Sequence, residues 1–254
     1  MKQLLKQVLL VCVCVCALTG HAMAKSPDIS IEPIASSLLE AERAYASGDF
    51  AKAVRIYRSL AEQGDVKAQL IFGSMYDIGL GVPQDYPEAV KWYRLAAKQG
   101  DAKAQSKLGS MYDIGLGVPQ DYMEAIKWWR LAAENGDAFA QLNLGSIYDH
   151  GKVVPKDFKE AVKWYRLAAE QGNSFAQEKL GWKYILGDGV PQDDVLAHMW
   201  LDIAASNDST PGGKVAIHQR TQQRDAIARR MTAEQIARAR ELAGKCLANK
   251  LKGC

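Results

Sequence analysis

Two rows of cationic side chains recur every 36 residues and are the residues of this sequence best suited to bind a ligand. Within each interval the two cations stand three residues apart. Because arginine and lysine form charge-assisted hydrogen bonds with carboxylates, the rows predict capture of an acidic peptide or a C-terminal carboxylate. The candidate binding residues are Arg58, Lys91, Arg94, Lys127, Arg130, Lys163 and Arg166.

The lysine row has a second interpretation, in which its members only stabilise a helix. Glu88, Glu124 and Glu160 each precede one of the lysines by three residues. This is the spacing at which oppositely charged side chains pair on a helix surface. The sequence leaves both interpretations open.

Motifs for catalysis, cofactor binding and metal binding are absent from the sequence. It has no G-x-S-x-G, no H-E-x-x-H and no phosphate-binding glycine loop between a strand and a helix. Asp77, Asp113 and Asp149 recur with the same 36-residue interval, which favours a structural role over a catalytic carboxylate pair. The cysteines and histidines lack the spacing of metal ligands. We therefore expect no enzymatic activity, no cofactor and no metal.

The cations belong to a recurring amphipathic helix, called helix A. Counted from a starting alanine, apolar residues fall at positions 0, 3, 4, 7 and 8, which form one stripe on a helix. Asp85 precedes Glu88 by three residues, the spacing of a capping box. A tryptophan at position 3, such as Trp128, lies on the stripe, which favours a place in the core over sugar stacking. The starting alanines are Ala53, Ala89, Ala125, Ala161 and Ala197.

A second helix, called helix B, follows each helix A. Asp101 can cap one copy, and Ala104 and Leu108 begin its apolar face. The next residue is a glycine in every copy, although glycine costs about 1 kcal/mol in a helix relative to alanine. Its recurrence predicts that a helix A crosses there too closely for a side chain. These glycines are Gly73, Gly109, Gly145 and Gly181.

The sequence therefore predicts an all-α chain of stacked helix pairs, and the pattern also resembles a known family. The run from Ala89 to Asp121, AVKWYRLAAKQGDAKAQSKLGSMYDIGLGVPQD, is similar to a Sel1-like repeat, a relative of the tetratricopeptide repeat. The resemblance covers about residues 53–207 and implies a right-handed α-solenoid of four full repeats and a fifth helix A. It also implies a scaffold whose groove, lined mainly by helix A, binds a protein or peptide partner.

The resemblance also suggests a different function. Cysteine-rich Sel1-type proteins have been linked to penicillin binding and hydrolysis, so a cell-wall-associated or β-lactam-active protein is the alternative. Those proteins carry a cysteine pair in each repeat, whereas residues 53–207 contain no cysteine. The interaction scaffold is therefore the favoured hypothesis.

The first 24 residues have the pattern of a signal peptide. Lys2 and Lys6 precede an apolar run over residues 8–18, and small residues stand before a cleavage site between Ala24 and Lys25. The run is too short to span a bilayer, which needs about 20 apolar residues. We therefore expect a periplasmic or secreted protein with no stable membrane insertion after cleavage.

The remaining chain divides by composition into four parts. Residues 25–36 are expected to form a flexible linker, 37–207 the repeat array with a leading helix, 208–214 a second linker and 215–254 a helical cap. Residues 214–254 hold ten Lys or Arg against three Asp or Glu, which suits either an acidic partner or a solvated helix face. The net charge of the whole chain is only +3, which does not call for nucleic acid.

Two cysteines remain after the predicted cleavage. An oxidising compartment allows Cys246 and Cys254 to pair, and so short a loop would add about 2.5 kcal/mol of stability in the chain-entropy model. An intermolecular bridge and two free thiols are the alternatives.

Overall fold

The computed structural model describes residues 31–206 and 213–254, and in these segments every regular element is an α-helix. Residues 1–30 and 207–212 lie outside the described residues. They include the predicted signal peptide with its cleavage site at Ala24 and Lys25, and parts of the predicted linkers and of the end of the array. The helices are α1 (Ile31–Ala46), α2 (Phe50–Glu62), α3 (Val66–Ile78), α4 (Tyr86–Lys98), α5 (Ala102–Ile114), α6 (Tyr122–Glu134), α7 (Ala138–His150), α8 (Phe158–Glu170), α9 (Ser174–Leu186), α10 (Asp194–Ser206), α11 (Gly213–Ala228) and α12 (Ala233–Ala248).

Two predicted linker boundaries differ from the structure. Helix α1 begins at Ile31, so residues 31–36 are helical rather than part of a flexible linker. Its proline, Pro33, lies in the first turn, where a helix tolerates proline because that N–H has no intrahelical partner. Helix α11 begins at Gly213, two residues before the predicted start of the cap.

The repeat array has the predicted alternation of helices. The copies of helix A are α2, α4, α6, α8 and α10, the copies of helix B are α3, α5, α7 and α9, and each helix packs against the next. The predicted stripes form the core between them, where Tyr93 and Ala96 of α4 and Leu108 of α5 are fully buried.

The helix starts follow the predicted caps, with one difference. Asp101 accepts a hydrogen bond from the Ala104 amide, as predicted for helix B. Asp85 likewise accepts from the Glu88 amide. The Glu88 carboxylate does not complete the capping box but accepts from Lys91 and from the Trp92 indole. A reciprocal capping box is present at α12, between Thr232 and Gln235.

The glycines of helix B are the crossing points that the sequence predicts. A Cβ placed on Gly109 would lie 2.4 Å from Cδ1 of Trp129, and one on Gly73 would lie 2.9 Å from Cδ1 of Tyr93. Since both rings belong to the helix A that follows in the chain, each helix B is crossed by the first helix of the next pair.

Helices α11 and α12 cap the last helix A, as expected, and pack against α10. Trp200 of α10 is buried together with Ile227 and Ala243 of the two cap helices. Arg220 of α11 is also buried, with its guanidinium over the Phe175 ring and its Nε donating to Glu178. The cap is therefore held by a buried arginine as well as by apolar contacts.

The two cysteines that remain after the predicted cleavage lie together at the end of this cap. Cys246 and Cys254 have Cα atoms 5.6 Å apart. This separation lies within the range that a disulfide requires.

Candidate functional site

A row of apolar side chains lies exposed at the ends of the second helices. Ile78, Ile114 and Leu186 are the last residues of α3, α5 and α9, and each exposes about three fifths of its surface (60, 61 and 62 %). The corresponding residue of α7 is His150. Apolar side chains that recur at one position in neighbouring repeats form a surface suited to a partner.

Three cavities follow one another along these helices. The first, of about 350 Å³, lies between Tyr45 and α3, and the second, of about 480 Å³, lies between α5 and Phe139. The third, of about 590 Å³, is lined by residues of α5, α6 and α7, including Trp129. We call the surface formed by Ile78, Ile114 and these cavities the helix B groove.

The expectation that helix A lines the groove does not hold for these three cavities. Most residues that line the three cavities belong to α3, α5 and α7, and none of the seven candidate cations is among them. Helix A instead turns its apolar stripe into the core, as Ala125, Trp129 and Ala132 show in α6.

The candidate lysines pair within their own helices. Lys91, Lys127 and Lys163 lie 2.8, 2.5 and 3.0 Å from a glutamate three residues earlier. The hydrogen bond to Glu88 raises the pKa of Lys91, and the bond to Glu124 raises the pKa of Lys127 in the same way. Helix stabilisation is therefore the interpretation of the lysine row that matches the observed contacts.

The candidate arginines contact aromatic side chains of the next helix B. In three repeats the arginine Nη2 donates to a tyrosine hydroxyl at 2.6 Å. In the first repeat Arg58 lies over the ring of Phe72, 5.6 Å from its centre. These pairs were not predicted from the sequence, although both members recur every 36 residues and stand 18 residues apart. The pairs are Arg94–Tyr112, Arg130–Tyr148 and Arg166–Tyr184.

A line of buried glutamines joins neighbouring repeats and was also missed. Gln105 of α5 donates to the Ala97 carbonyl at the end of α4 and accepts from Asn135 at the end of α6. Gln141 makes the same two contacts one repeat later, with Ala133 and Gln171. These amides fix the spacing of successive helices A, and so the positions of the helices B between them.

The described residues contain neither a metal-binding group of side chains nor a membrane-spanning helix. Within residues 31–206 and 213–254, no three histidine, cysteine or carboxylate side chains are grouped so that they could hold a metal ion. In the same segments no helix is long and apolar enough to cross a membrane.

Comparison with known families explains the geometry of the repeats. The Sel1 repeat matches five consecutive segments, residues 42–65, 66–101, 102–137, 138–173 and 174–209, which together cover more than half of the sequence. The chain belongs to the Sel1 repeat family. Each full Sel1 repeat begins with helix B and ends with the following helix A, so that the five matches are one partial and four complete repeats.

Two solved Sel1 structures are similar to this chain. The protein c5321, a protective antigen of uropathogenic Escherichia coli with the same repeat fold, is 39 % identical over 79 % of this chain, with a TM-score of 0.67. A Sel1 repeat protein from Oxalobacter formigenes is 38 % identical over 68 % of this chain, with a TM-score of 0.63. This chain spans 41 % and 49 % of the length of those two proteins. No curated protein sequence matches it significantly.

Membership of the family gives a general function. Sel1 repeat proteins are generally scaffolds for protein–protein interactions. In this Sel1 array the helix B groove is one surface whose shape and exposed apolar side chains suit that use.

Proposed function

We propose that this protein is an exported, non-catalytic scaffold that binds a protein partner in the helix B groove. The observation that carries the proposal is the recurrence of exposed isoleucines beside open cavities. Ile78 and Ile114 each expose about three fifths of their surface and line the first and second cavity. A partner that covers them removes apolar surface from water, which is the main favourable term in protein association.

Both polar and apolar groups line the groove, so a partner with an amphipathic segment fits it. Lys103 and Lys107 are exposed and line the first two cavities together with Ile78 or Ile114. An acidic segment with apolar side chains can therefore pair its carboxylates with these lysines while it covers the isoleucines. An acidic partner thus stays in the proposal, with different lysines from those expected.

Export is proposed from the sequence pattern of residues 1–24. Lys2 and Lys6, the apolar run over residues 8–18 and the small residues Ala22 and Ala24 support cleavage before Lys25. Fractionation of the native host, followed by N-terminal sequencing, tests this. We expect a chain that begins at Lys25 outside the cytoplasm, and an uncleaved cytoplasmic chain would contradict export.

Photocrosslinking tests the groove. A benzophenone amino acid at position 78 should crosslink a partner in an envelope extract, whereas the same group at position 95 should not. Leu95 is the matched control because it is also an exposed apolar residue but lies on α4 and lines none of the three cavities. Equal crosslinking at both positions, or none at position 78, would rule out the groove.

A chromogenic β-lactam tests the absence of catalysis. The pure protein should release no more product than buffer does, because the sequence has no G-x-S-x-G or H-E-x-x-H motif and residues 53–207 contain no cysteine. Turnover that follows the protein through purification would favour the β-lactam-active alternative.

A further inference from the structure

One aspartate recurs near the end of three second helices, and in two copies it is paired. Asp77 accepts a hydrogen bond from the Tyr93 hydroxyl at 3.1 Å and lies 3.6 Å from the Lys107 ammonium. Asp149 likewise accepts from the Tyr165 hydroxyl, at 3.3 Å. It also forms an ion pair with Lys183, which is almost completely buried.

The middle copy, Asp113, has neither partner. The position of the tyrosine is held by Trp129, which has no hydroxyl. The lysines on Asp77 and Asp149 stand 30 and 34 residues after the aspartate, and at these distances from Asp113 the sequence has Asn143 and Ile147. Among the described residues no side chain donates a hydrogen bond to the Asp113 carboxylate.

Asp113 is half-buried, and burial raises its pKa. The cause is desolvation of a carboxylate that no neighbouring cation or donor compensates. A cation brought to this carboxylate would therefore meet a poorly solvated negative charge, a setting in which ion pairs are stronger than on an open surface.

Two donors in the same cavity also lack partners. Trp129 is 6 % exposed, and its Nε1 has no acceptor, nor has the buried Nδ2 of Asn143. Both residues line the third cavity together with Asp113. Buried polar groups are nearly always hydrogen-bonded in folded proteins. Both donor atoms are closed to solvent, and Trp129 Nε1 lies against Gly109, so Asp113 is the unpaired group that a ligand entering the cavity can reach.

We propose that the third cavity binds a lysine side chain of the partner protein, with its ammonium on the Asp113 carboxylate. Lysine is the ligand because the two other aspartates of the row receive lysine ammonium groups from this chain itself. Lys152 also lines the cavity, but it is exposed and solvent screens its charge. The inference rests on the proposed function, since the lysine belongs to the partner in the groove.

A small probe tests the site without the partner. Nα-acetyl-lysine N-methylamide, added to the full chain, should shift the indole NH signal of Trp129 in an NMR spectrum, where Trp129→Phe identifies the signal. The norleucine analogue should bind at least about tenfold more weakly, because it lacks the ammonium that forms the charged hydrogen bond to Asp113. Equal binding of both probes would overturn the proposal.

Two variants sharpen the test. Asp113→Asn removes the charge and should abolish the difference between the probes. Ile147→Lys puts a lysine where Lys183 stands in the later repeat, and should fill the site from within and exclude the lysine probe. A folded Ile147→Lys protein, by circular dichroism, that still binds the lysine probe with unchanged affinity would contradict the proposal. Lys163→Ala, whose side chain lies outside the cavity, is the matched control and should bind as the unmodified chain does.

Crosslinking from position 78 separates this inference from the proposed function. If the lysine probe fails while position 78 still crosslinks a partner, the lysine site is wrong and the groove stands. If position 78 fails as well, the proposed function is wrong. If the lysine probe binds and the Asp113→Asn variant loses it, the lysine site is established whichever partner is found.

Discussion

Gly145 of α7 lies directly against the ring of Tyr165 in α8, so that a Cβ on this glycine would be 2.5 Å from Cδ1 of the tyrosine. Real Cβ atoms do not approach so closely, and the tyrosine ring is itself fully buried. The contact repeats with other rings in the two preceding units and with Leu201 in the following one. It sets how closely two helices of successive repeats can pack.

Gly145→Ala should therefore destabilise the protein. Overpacking of a core costs about 1–3 kcal/mol, and the better helix propensity of alanine returns up to about 1 kcal/mol. We expect a net loss of about 1 kcal/mol in the free energy of unfolding, measured by urea denaturation. Gly244→Ala is the control, since Gly244 is helical with no atom within 4 Å of its added Cβ, and it should gain about 0.5–1 kcal/mol. A gain in both variants would show that the crossing is loose.

Gln141→Leu should break the line of buried amides. The change removes the bond from Gln141 to the Ala133 carbonyl, which keeps the Gly136 amide as a donor, and leaves the Gln171 side-chain amide without its Gln141 acceptor. Loss of a buried hydrogen-bond partner costs about 1–3 kcal/mol, which denaturant unfolding can resolve. Gln63→Leu is the control, because Gln63 is exposed and bonds only within its own turn, to Ser59, so that its loss should fall within about 0.5 kcal/mol.

Protonation of His198 should lower stability in mild acid. Burial lowers the pKa of His198, and Arg224 and Arg240 lower it further, while Asp202 and Asp225 act in the opposite direction. The folded protein therefore binds a proton less readily than the unfolded chain. The contribution of neutral His198 to stability is fully present above about pH 6.5, the pKa of a histidine in the unfolded chain. It is lost as the pH falls below that value.

The pH effect can be isolated by difference. Below pH 6.5 the free energy of unfolding should fall more steeply for the unmodified protein than for His198→Leu. The difference in slope should correspond to at most about one additional proton taken up on unfolding. Parallel curves for the two proteins would contradict the assignment to this histidine.

A disulfide between Cys246 and Cys254 should stabilise the cap. Cys254→Ser should lower the free energy of unfolding by about 2.5 kcal/mol under oxidising conditions, and a reducing agent should remove the difference between variant and parent. Mass spectrometry after alkylation of the unfolded, oxidised protein checks the pairing. Labelling of both cysteines would show free thiols instead.

The sequence alone predicted the helices, their caps and the points at which helices cross closely. Gly109 predicts a close crossing because a glycine in mid-helix is costly, and the Asp101 cap follows from one side chain and an amide three residues on. Such features depend on the nearest turns of the chain, and the 36-residue interval repeats them in every copy. The family assignment rests on the same interval.

Which helix lines the groove depended on the tertiary structure. The sequence places Lys91 and Arg94 on the outward face of helix A. In the structure, Lys91 forms an ion pair with Glu88 of the same helix. Arg94 donates a hydrogen bond to Tyr112 of the next helix B. The sequence could not show that helix B faces the open side, because that depends on the angle at which one pair stacks on the next. The burial of Arg220 in the cap has the same origin, since Glu178 lies 42 residues away.

Both the sequence and the tertiary structure are needed to recognise that Asp113 is unpaired. The sequence alone shows that Trp129, Asn143 and Ile147 replace residues found in the other repeats. Only the tertiary structure shows that these three positions line one cavity with Asp113, because they belong to two later helices. The fold was set by what the repeats share, whereas the candidate ligand site was set by where one repeat departs from the others.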